Sequence, residues 1–252
     1  MKGETLRVVT YNIHRCKGLD GRVRPDRVAK VLKEIDADIV ALQEVVCIPG
    51  GEPEGDQAHY LAREIGADFL FGENRKLWGG AYGNVVLSKL PMRTVKNHDL
   101  SVRGRERRGC LHIDVDLAGR VLHVFNVHLG TAFLERRKQG RKLAGLDILL
   151  NNELKGPRLL LGDFNEWAPG LTTKLLRAHM QSVDIKKHLR RRRTYPGVLP
   201  MFHLDHIYHD ESMEVVGLTL HRTRTALVAS DHLPLIAELK LLPAPVAKAR
   251  TR

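Results

Sequence analysis

The sequence predicts a single α/β domain, and three observations carry that reading. Apolar runs of strand length outnumber the amphipathic helical stretches, yet the helices are interspersed among them rather than segregated. Many of the strand-like runs are joined by short turns. No internal repeat and no linker long enough to separate domains interrupts the 252 residues, which suffice to bury a substantial core.

The elements follow in order. Leu6 to Tyr11 is a β-branched, strand-like start. Arg24-Pro25-Asp26 opens a helix running to about Glu34, with proline pre-set for the first turn and Val28, Val31, Leu32 and Ile35 on one face. Asp38 to Val46 is apolar on both sides and reads as a central strand. The Gly50 to Gly55 loop precedes a helix of about Gln57 to Ile65. Strand patterns follow near Phe69, at Val85 to Leu87, at Leu111 to Val115 and at Val121 to Val127. An amphipathic pattern predicts a long helix from Phe133 to Asn151. Leu159 to Leu161 reads as a buried strand ended by Gly162. A short helix near Leu171 to Ala178, a basic loop, and strands near Leu204, Val215 and Leu235 complete a domain of residues 1–241. Residues 242–252 read as a flexible basic tail.

Composition bounds the function. No run of about 18 apolar residues is present, so no membrane span is expected. The N-terminus enters a strand pattern without the apolar core of a signal peptide. Cys16, Cys47 and Cys110 are an odd set without CxxC spacing, which suits reduced thiols of a cytoplasmic protein. The net charge of +12 favours an anionic partner without choosing among nucleic acid, an acidic lipid surface and a phosphorylated small molecule. Much of the excess lies in the runs Arg103 to Arg108 and Arg190 to Arg193, each of which taken singly is a solvated basic face. Aromatic residues are too few to indicate a stacking platform for single strands.

Polar residues stand where apolar runs end: Tyr11-Asn12, Gln43-Glu44, Asn126-Val127-His128, Gly162-Asp163-Phe164-Asn165 and Ser230-Asp231-His232. Strand exits are where α/β proteins build their sites. Each residue alone has a plain structural role: Asn12 forms a turn, His128 satisfies a core, and Asp205 pairs with a neighbouring arginine. Jointly they supply one kind of chemistry. Phosphoryl transfer needs a hard cation, a manager of the water proton, and donors for the developing charge. Glu44 is the hard oxygen ligand that Mg²⁺ or Mn²⁺ prefers, and Asn12 and Asp231 complete its shell. Asp163 accepts a proton from water, and the Asn165 amide holds that water or the phosphate. His128 and His232 titrate near neutrality. Asp205 is the candidate orienting partner for His232, because a buried acid is costly unless it is paired. No Cys/His grouping has zinc spacing along the chain, which argues against a zinc enzyme.

These motifs, together with Leu42-Gln43-Glu44-Val45, Asn126-Val127-His128-Leu129 and Leu204-Asp205-His206-Ile207, resemble in kind and order those of the endonuclease/exonuclease/phosphatase superfamily, from about Leu6 to Leu239. The resemblance implies a four-layer αββα sandwich, two packed, mostly antiparallel sheets flanked by helices, and Mg²⁺-dependent cleavage of phosphate esters. It implies Glu44 as main metal ligand with Asn12 and Asp231 near the same ion. Asp163 and Asn165 resemble the water-activating and phosphate-orienting pair, His232 the histidine facing the scissile phosphate with Asp205 as its partner, and His128 the second phosphate-site histidine. Arg105 or Arg108 resembles a phosphate-meeting arginine, and Asn84 a polar residue facing the site. His128 lacks the glutamate partner of some nuclease members. The helix Glu135-Arg136-Arg137-Lys138-Gln139 and the stretch from Thr194-Tyr195-Pro196 to Asp205 resemble small bacterial phosphatase- and phospholipase-like members. The expected substrate is therefore a phosphate ester of nucleic acid, phospholipid or a small molecule, acted on by a monomer. The competing reading is a catalytically silent basic module that binds nucleic acid or anionic membrane; retention of Glu44, Asp163 and His232 weighs against it.

Overall fold

The computed structural model describes residues 5–117, 119–183, 188–189, 193–197 and 201–243. Most of the basic run at 190–193 and residues 244–252 of the expected tail lie outside them. Leu242 is tied down, because its N–H donates to the Ser212 carbonyl and its carbonyl accepts from Arg120.

Among the described residues, two six-stranded sheets pack face to face. The first contains β1 (Thr5–Asn12), β2 (Ile39–Cys47), β3 (Asp68–Leu77), β4 (Gly80–Ser88), β11 (Met213–Leu220) and β12 (Leu235–Leu241), in the order β11-β12-β1-β2-β4-β3. The second contains β5 (Met92–Asp99), β6 (Gly109–Leu117), β7 (Arg120–His128), β8 (Arg158–Asp163), β9 (Gln181–Ser182) and β10 (Asp205–His209), in the order β5-β6-β7-β8-β10-β9. Each sheet has one parallel pair at its centre, β1 with β2 and β7 with β8; the other pairings are antiparallel.

Three apolar layers hold the sandwich together. Val8, Ile39, Ala41 and Val86 of the first sheet meet Leu111, Ile113, Leu122, Val124, Leu159 and Leu161 of the second. Outside the first sheet, α1 (Pro25–Ile35), α2 (Gln57–Ile65) and α5 (Arg224–Ala229) bury their apolar faces against Val9, Tyr11, Val40 and Leu42. Outside the second, the layer of Phe125, Val127, Leu160 and Phe164 receives Leu143, Ile148 and Leu149 and, from α4 (Leu171–Arg177), Leu176. Each large aliphatic side chain so buried contributes roughly 1.5–3 kcal/mol. The expected αββα sandwich is the observed fold. Strands such as β2 are buried on both faces for that reason: one face meets helices and the other meets the second sheet.

Three local expectations change. The helix from Phe133, here α3 (Phe133–Leu143), stops eight residues early. Gly145 follows its end, and the chain continues in turns that bury Ile148 and Leu149. Gly162 lies within β8 rather than ending it. Strand β5 and helix α5 had no counterpart in the sequence reading.

Gly162 also sets the geometry next to the site. Its φ is 150°, and a Cβ there would stand 2.0 Å from the Val127 carbonyl oxygen. Only glycine lets β8 approach β7 so closely at the step before Asp163.

Candidate active site

The polar clusters meet at one end of the sandwich, where both central parallel pairs terminate. In the first sheet Asn12 ends β1 opposite Gln43. Glu44 follows at a bulge, where the β2–β4 register shifts between Leu42 and Val45. Its φ of 59° is rare for a residue with a side chain. The extra residue turns the Glu44 carboxylate out of the ladder, a re-aiming that bulges perform beside functional sites. The Asn12 amide then joins the two sheets, donating to Glu44 Oε1 at 3.2 Å and to Asp163 Oδ2 at 3.0 Å.

In the second sheet, register places His128 and Asp205 on either side of Asp163. Past the strand, Asn165 adopts a φ of 49°, and its N–H donates to Asp163 Oδ1 at 2.8 Å. Its side-chain amide donates to the Leu129 carbonyl and lies 3.2 Å from His128 Nε2. His128 Nε2 and His232 Nε2 stand 3.6 and 3.7 Å from the same oxygen, Asp163 Oδ2. Asp205, fully buried, meets His232 Nδ1 at 2.9 Å. Ser230 moors the loop that carries Asp231 and His232, donating to the Asn12 carbonyl at 2.8 Å.

The electrostatics assign the protons. Arg108 Nη1 lies 3.0 Å from His128 Nδ1, and a guanidinium can only donate, so Nδ1 accepts and Nε2 carries the hydrogen. Burial, and then the charges of Arg108 and His232, hold His128 well below the usual imidazole range. It is a neutral imidazole whose Nε2 lies 3.6 Å from Asp163 Oδ2 and 3.2 Å from the Asn165 amide nitrogen. For His232, burial opposes the charge, but Asp205, Asp163 and Asp231 outweigh it and lift the imidazolium to about 10. Burial pushes the Asp163 carboxyl up to about 6, against the pull of His232. At neutral pH the pair is a carboxylate facing an imidazolium.

A pH dependence follows. A raised imidazole contributes stability that is complete below its unfolded value of 6.5 and is lost as pH climbs through about 10. In chelator, the melting temperature should fall across that window, and the fall should be shallower in His232→Gln. Parallel curves for the two proteins would contradict the assignment.

The oxygen donors suit a divalent cation. None of the ion pairs among the described residues joins a lysine or arginine to Glu44, Asp163 or Asp231; the ion pair of Asp231 among them is with His14, at 3.7 Å, and the Ser230 hydroxyl lies within hydrogen-bond reach of it at 3.4 Å. Asp163 has the His232 imidazolium, but Glu44 and Asp231 have no lysine or arginine among the described residues to balance them, and carboxylates without a fixed counter-charge suit a site where a metal supplies it. Their oxygens are the hard ligands such an ion takes, whereas Asn12 turns its NH₂ toward Glu44 and Asp163 and its Oδ1 accepts from the His14 N–H at 3.0 Å.

The other candidates separate. Arg108 is buried and bridges His128 and Glu106. Arg105 is exposed on the loop before β6. Asn84 is fully buried and spends its NH₂ on the carbonyls of Gly109 and Asn126, so it bridges the sheets and has only its Oδ1 left to offer. Gln43 and Asn126 form a second bridge, 2.8 Å long, and Asn126 also donates to the Leu42 and Val85 carbonyls. Behind Asn165, the Gln139 side chain accepts from the Gly130 N–H and Arg136 donates to the Gly130 and Thr131 carbonyls, fixing the turn after His128. Two neighbours escaped the sequence reading. His14 sits in a run of positive φ from His14 to Cys16 that no glycine marks. Tyr195 places its ring 4.8 Å from that of His232, a contact only the tertiary fold creates.

The sequence profile of the endonuclease/exonuclease/phosphatase family matches residues 9–232. The chain belongs to that family. The family includes metal-dependent phosphoesterases and nucleases. The uncharacterized protein YbhP of Escherichia coli (strain K12) is 34% identical over 249 residues, covering 94% of this chain and 97% of its own. A family structure from Beutenbergia cavernae superposes with a TM-score of 0.75 at 25% identity, over 96% of this chain and 73% of that one. TDP2 from C. elegans superposes with a TM-score of 0.70 at 19% identity, over 95% and 76% of the two chains, a likeness of fold alone.

Proposed function

We propose that this family member is a Mg²⁺-dependent hydrolase of phosphate esters, with Mn²⁺ able to substitute. The observation that carries the reading is the convergence of Asn12, His128 and His232 on one oxygen of Asp163. Glu44 holds the ion, with Asn12 and Asp231 near it. Bound there, the ion polarises a phosphoryl oxygen and offsets charge in the transition state. Asp163 takes the proton of the attacking water, which the Asn165 amide orients. His232, kept charged and in place by Asp205, and His128, a neutral N–H donor backed by Arg108, hold the phosphoryl oxygens. Arg108 thus acts through His128, while Arg105 is free to meet a longer substrate from its exposed loop.

The net charge of +12 supports an anionic and extended substrate such as nucleic acid, with phospholipids and small phosphorylated molecules as the other members of a panel at fixed salt. Among the described residues no helix is long and apolar enough to cross a membrane. Three buried free thiols suit the reducing cytoplasm.

The deciding assay is hydrolysis of bis-p-nitrophenyl phosphate with Mg²⁺ or Mn²⁺. Asp163→Ala and His232→Ala should each be slower than wild type by roughly 10²–10⁴-fold. Equal rates in all three proteins would instead leave a silent basic binding module.

A further inference from the structure

A second group of metal-ligating side chains lies away from the active site. Along β6, Leu111, Ile113 and Val115 face the inter-sheet core, so His112 and Asp114 face outward. Register sets Asp114 opposite His123 on β7. His123 precedes His128 by five residues, or about 17 Å of strand. His112 is fixed by stacking on Phe125, with ring centroids 4.2 Å apart, and meets the His123 ring edgewise at 5.5 Å. The ligand atoms of His112, Asp114 and His123 all lie within 4.8 Å of one another.

Counting hydrogens leaves this cluster incomplete. His123 Nε2 lies 3.2 Å from the Lys155 carbonyl oxygen, which can only accept, so Nε2 carries the hydrogen. Its Nδ1 then turns a lone pair toward Asp114 Oδ1, 2.7 Å away. The same carboxylate oxygen is 3.2 Å from His112 Nε2. His112 is only 8% exposed, and its Nε2 is buried with no hydrogen-bond partner. A proton on His123 would settle one of these contacts, while His112 Nε2, though within reach of the same oxygen, is not aligned to hydrogen-bond it. A single cation answers both.

We propose that His112 Nε2, Asp114 Oδ1 and His123 Nδ1 form a Zn²⁺-binding site on the outer face of the second sheet, independent of the active site. Two imidazoles and one carboxylate are the donors of a borderline metal rather than of Mg²⁺. Metal bonds of about 2.0–2.1 Å in a tetrahedron put ligand atoms about 3.3 Å apart, so the His112 contact already fits and the Asp114–His123 contact opens by about half an ångström. Asp114 is partly exposed, which gives the ion entry and leaves a fourth position to water. The Lys155 carbonyl orients His123 as outer partners of metal-bound histidines do. The ion ties neighbouring strands to the loop that carries Lys155.

Zn²⁺ titration calorimetry tests this on chelator-stripped protein in a Glu44→Ala background, which weakens metal binding at the active site. Adding His112→Gln and His123→Gln should remove one equivalent of bound Zn²⁺ and the accompanying rise in melting temperature, while the same two changes in wild type leave Mg²⁺-dependent hydrolysis unaltered. Asp114→Asn, which keeps both imidazoles, should weaken binding at least tenfold. Co²⁺ provides a readout needing no double variant: the Glu44→Ala protein should develop visible bands of low-coordinate, histidine-ligated cobalt that Zn²⁺ bleaches. Unchanged Zn²⁺ stoichiometry on removing both histidines, or no saturable Co²⁺ spectrum, would show that His123 and Asp114 are merely a hydrogen-bonded pair.

Discussion

Stripping divalent ions with EDTA should abolish phosphodiester hydrolysis, a larger loss than any single side-chain replacement produces, and Mg²⁺ should restore it. Glu44, Asp163 and Asp231 have no lysine or arginine partner among the ion pairs of the described residues. Without an ion, an entering phosphodiester meets that negative charge directly. Two like charges about 5 Å apart repel by roughly 3 kcal/mol at an effective dielectric of about 20, and more than one carboxylate acts at once. His232 offsets part of this, but it is already held by Asp205 and faces Asp163. The loss should therefore appear in substrate binding as well as in turnover. Glu44→Gln, which keeps the shape and removes the charge, should raise the Mg²⁺ concentration needed for half-maximal rate. Full activity after exhaustive chelation would refute the metal's role, and an unchanged Mg²⁺ requirement in Glu44→Gln would refute the ligand.

The strand ends were the legible part of this protein. Buried strands need apolar runs, and an acid or amide at the end of such a run is conspicuous, so Asn12, Glu44, His128, Asp163 and Asp231 stand out in one dimension. What stayed hidden has identifiable causes. Strand β5 lies at a sheet edge with one neighbour, so Arg93, Lys96, Asn97 and Asp99 face solvent readily and the run does not read as a strand. Leu143, Leu146, Leu149 and Leu150 keep a helical spacing past the true end of α3, but the turns that replace the helix bury Leu143, Ile148 and Leu149 and leave Leu146 exposed. Helix α5 has only six residues, too few to establish a period, and its one local sign is the Thr223 hydroxyl accepting from the Ala226 N–H.

Partnerships across strands were hidden for a different reason. Arg108 finds His128 because Cys110 pairs with Val127, and Asp114 finds His123 by the same register. No linear spacing encodes such pairs. The same limit explains why a zinc-type grouping was not visible along the chain. The Glu44 bulge was hidden too, since nothing but the tertiary fold forces a glutamate to a φ of 59°.

The second large expected effect joins the fold to the site. Gly162→Ala should destabilise the protein by about 3 kcal/mol or more, adding overpacking of about 1–3 kcal/mol to backbone strain of about 1–3 kcal/mol. The added Cβ would stand 2.0 Å from the Val127 carbonyl oxygen and 2.8 Å from its carbon, and backbone in a β-ladder cannot step aside as a flexible side chain can. Relief requires β8 to separate from β7 at Gly162, and the adjacent rung is His128 opposite Asp163. The same movement draws Asp163 away from His128, Asn12 and His232 together. Any folded fraction of Gly162→Ala should therefore hydrolyse slowly, and its rate should lie near that of Asp163→Ala. Denaturant unfolding measures the first effect, and turnover per folded molecule the second. A variant with wild-type stability would show that β7 and β8 are not so tightly apposed, and a destabilised but fully active one would show that the rung next to Gly162 does not position the carboxylate.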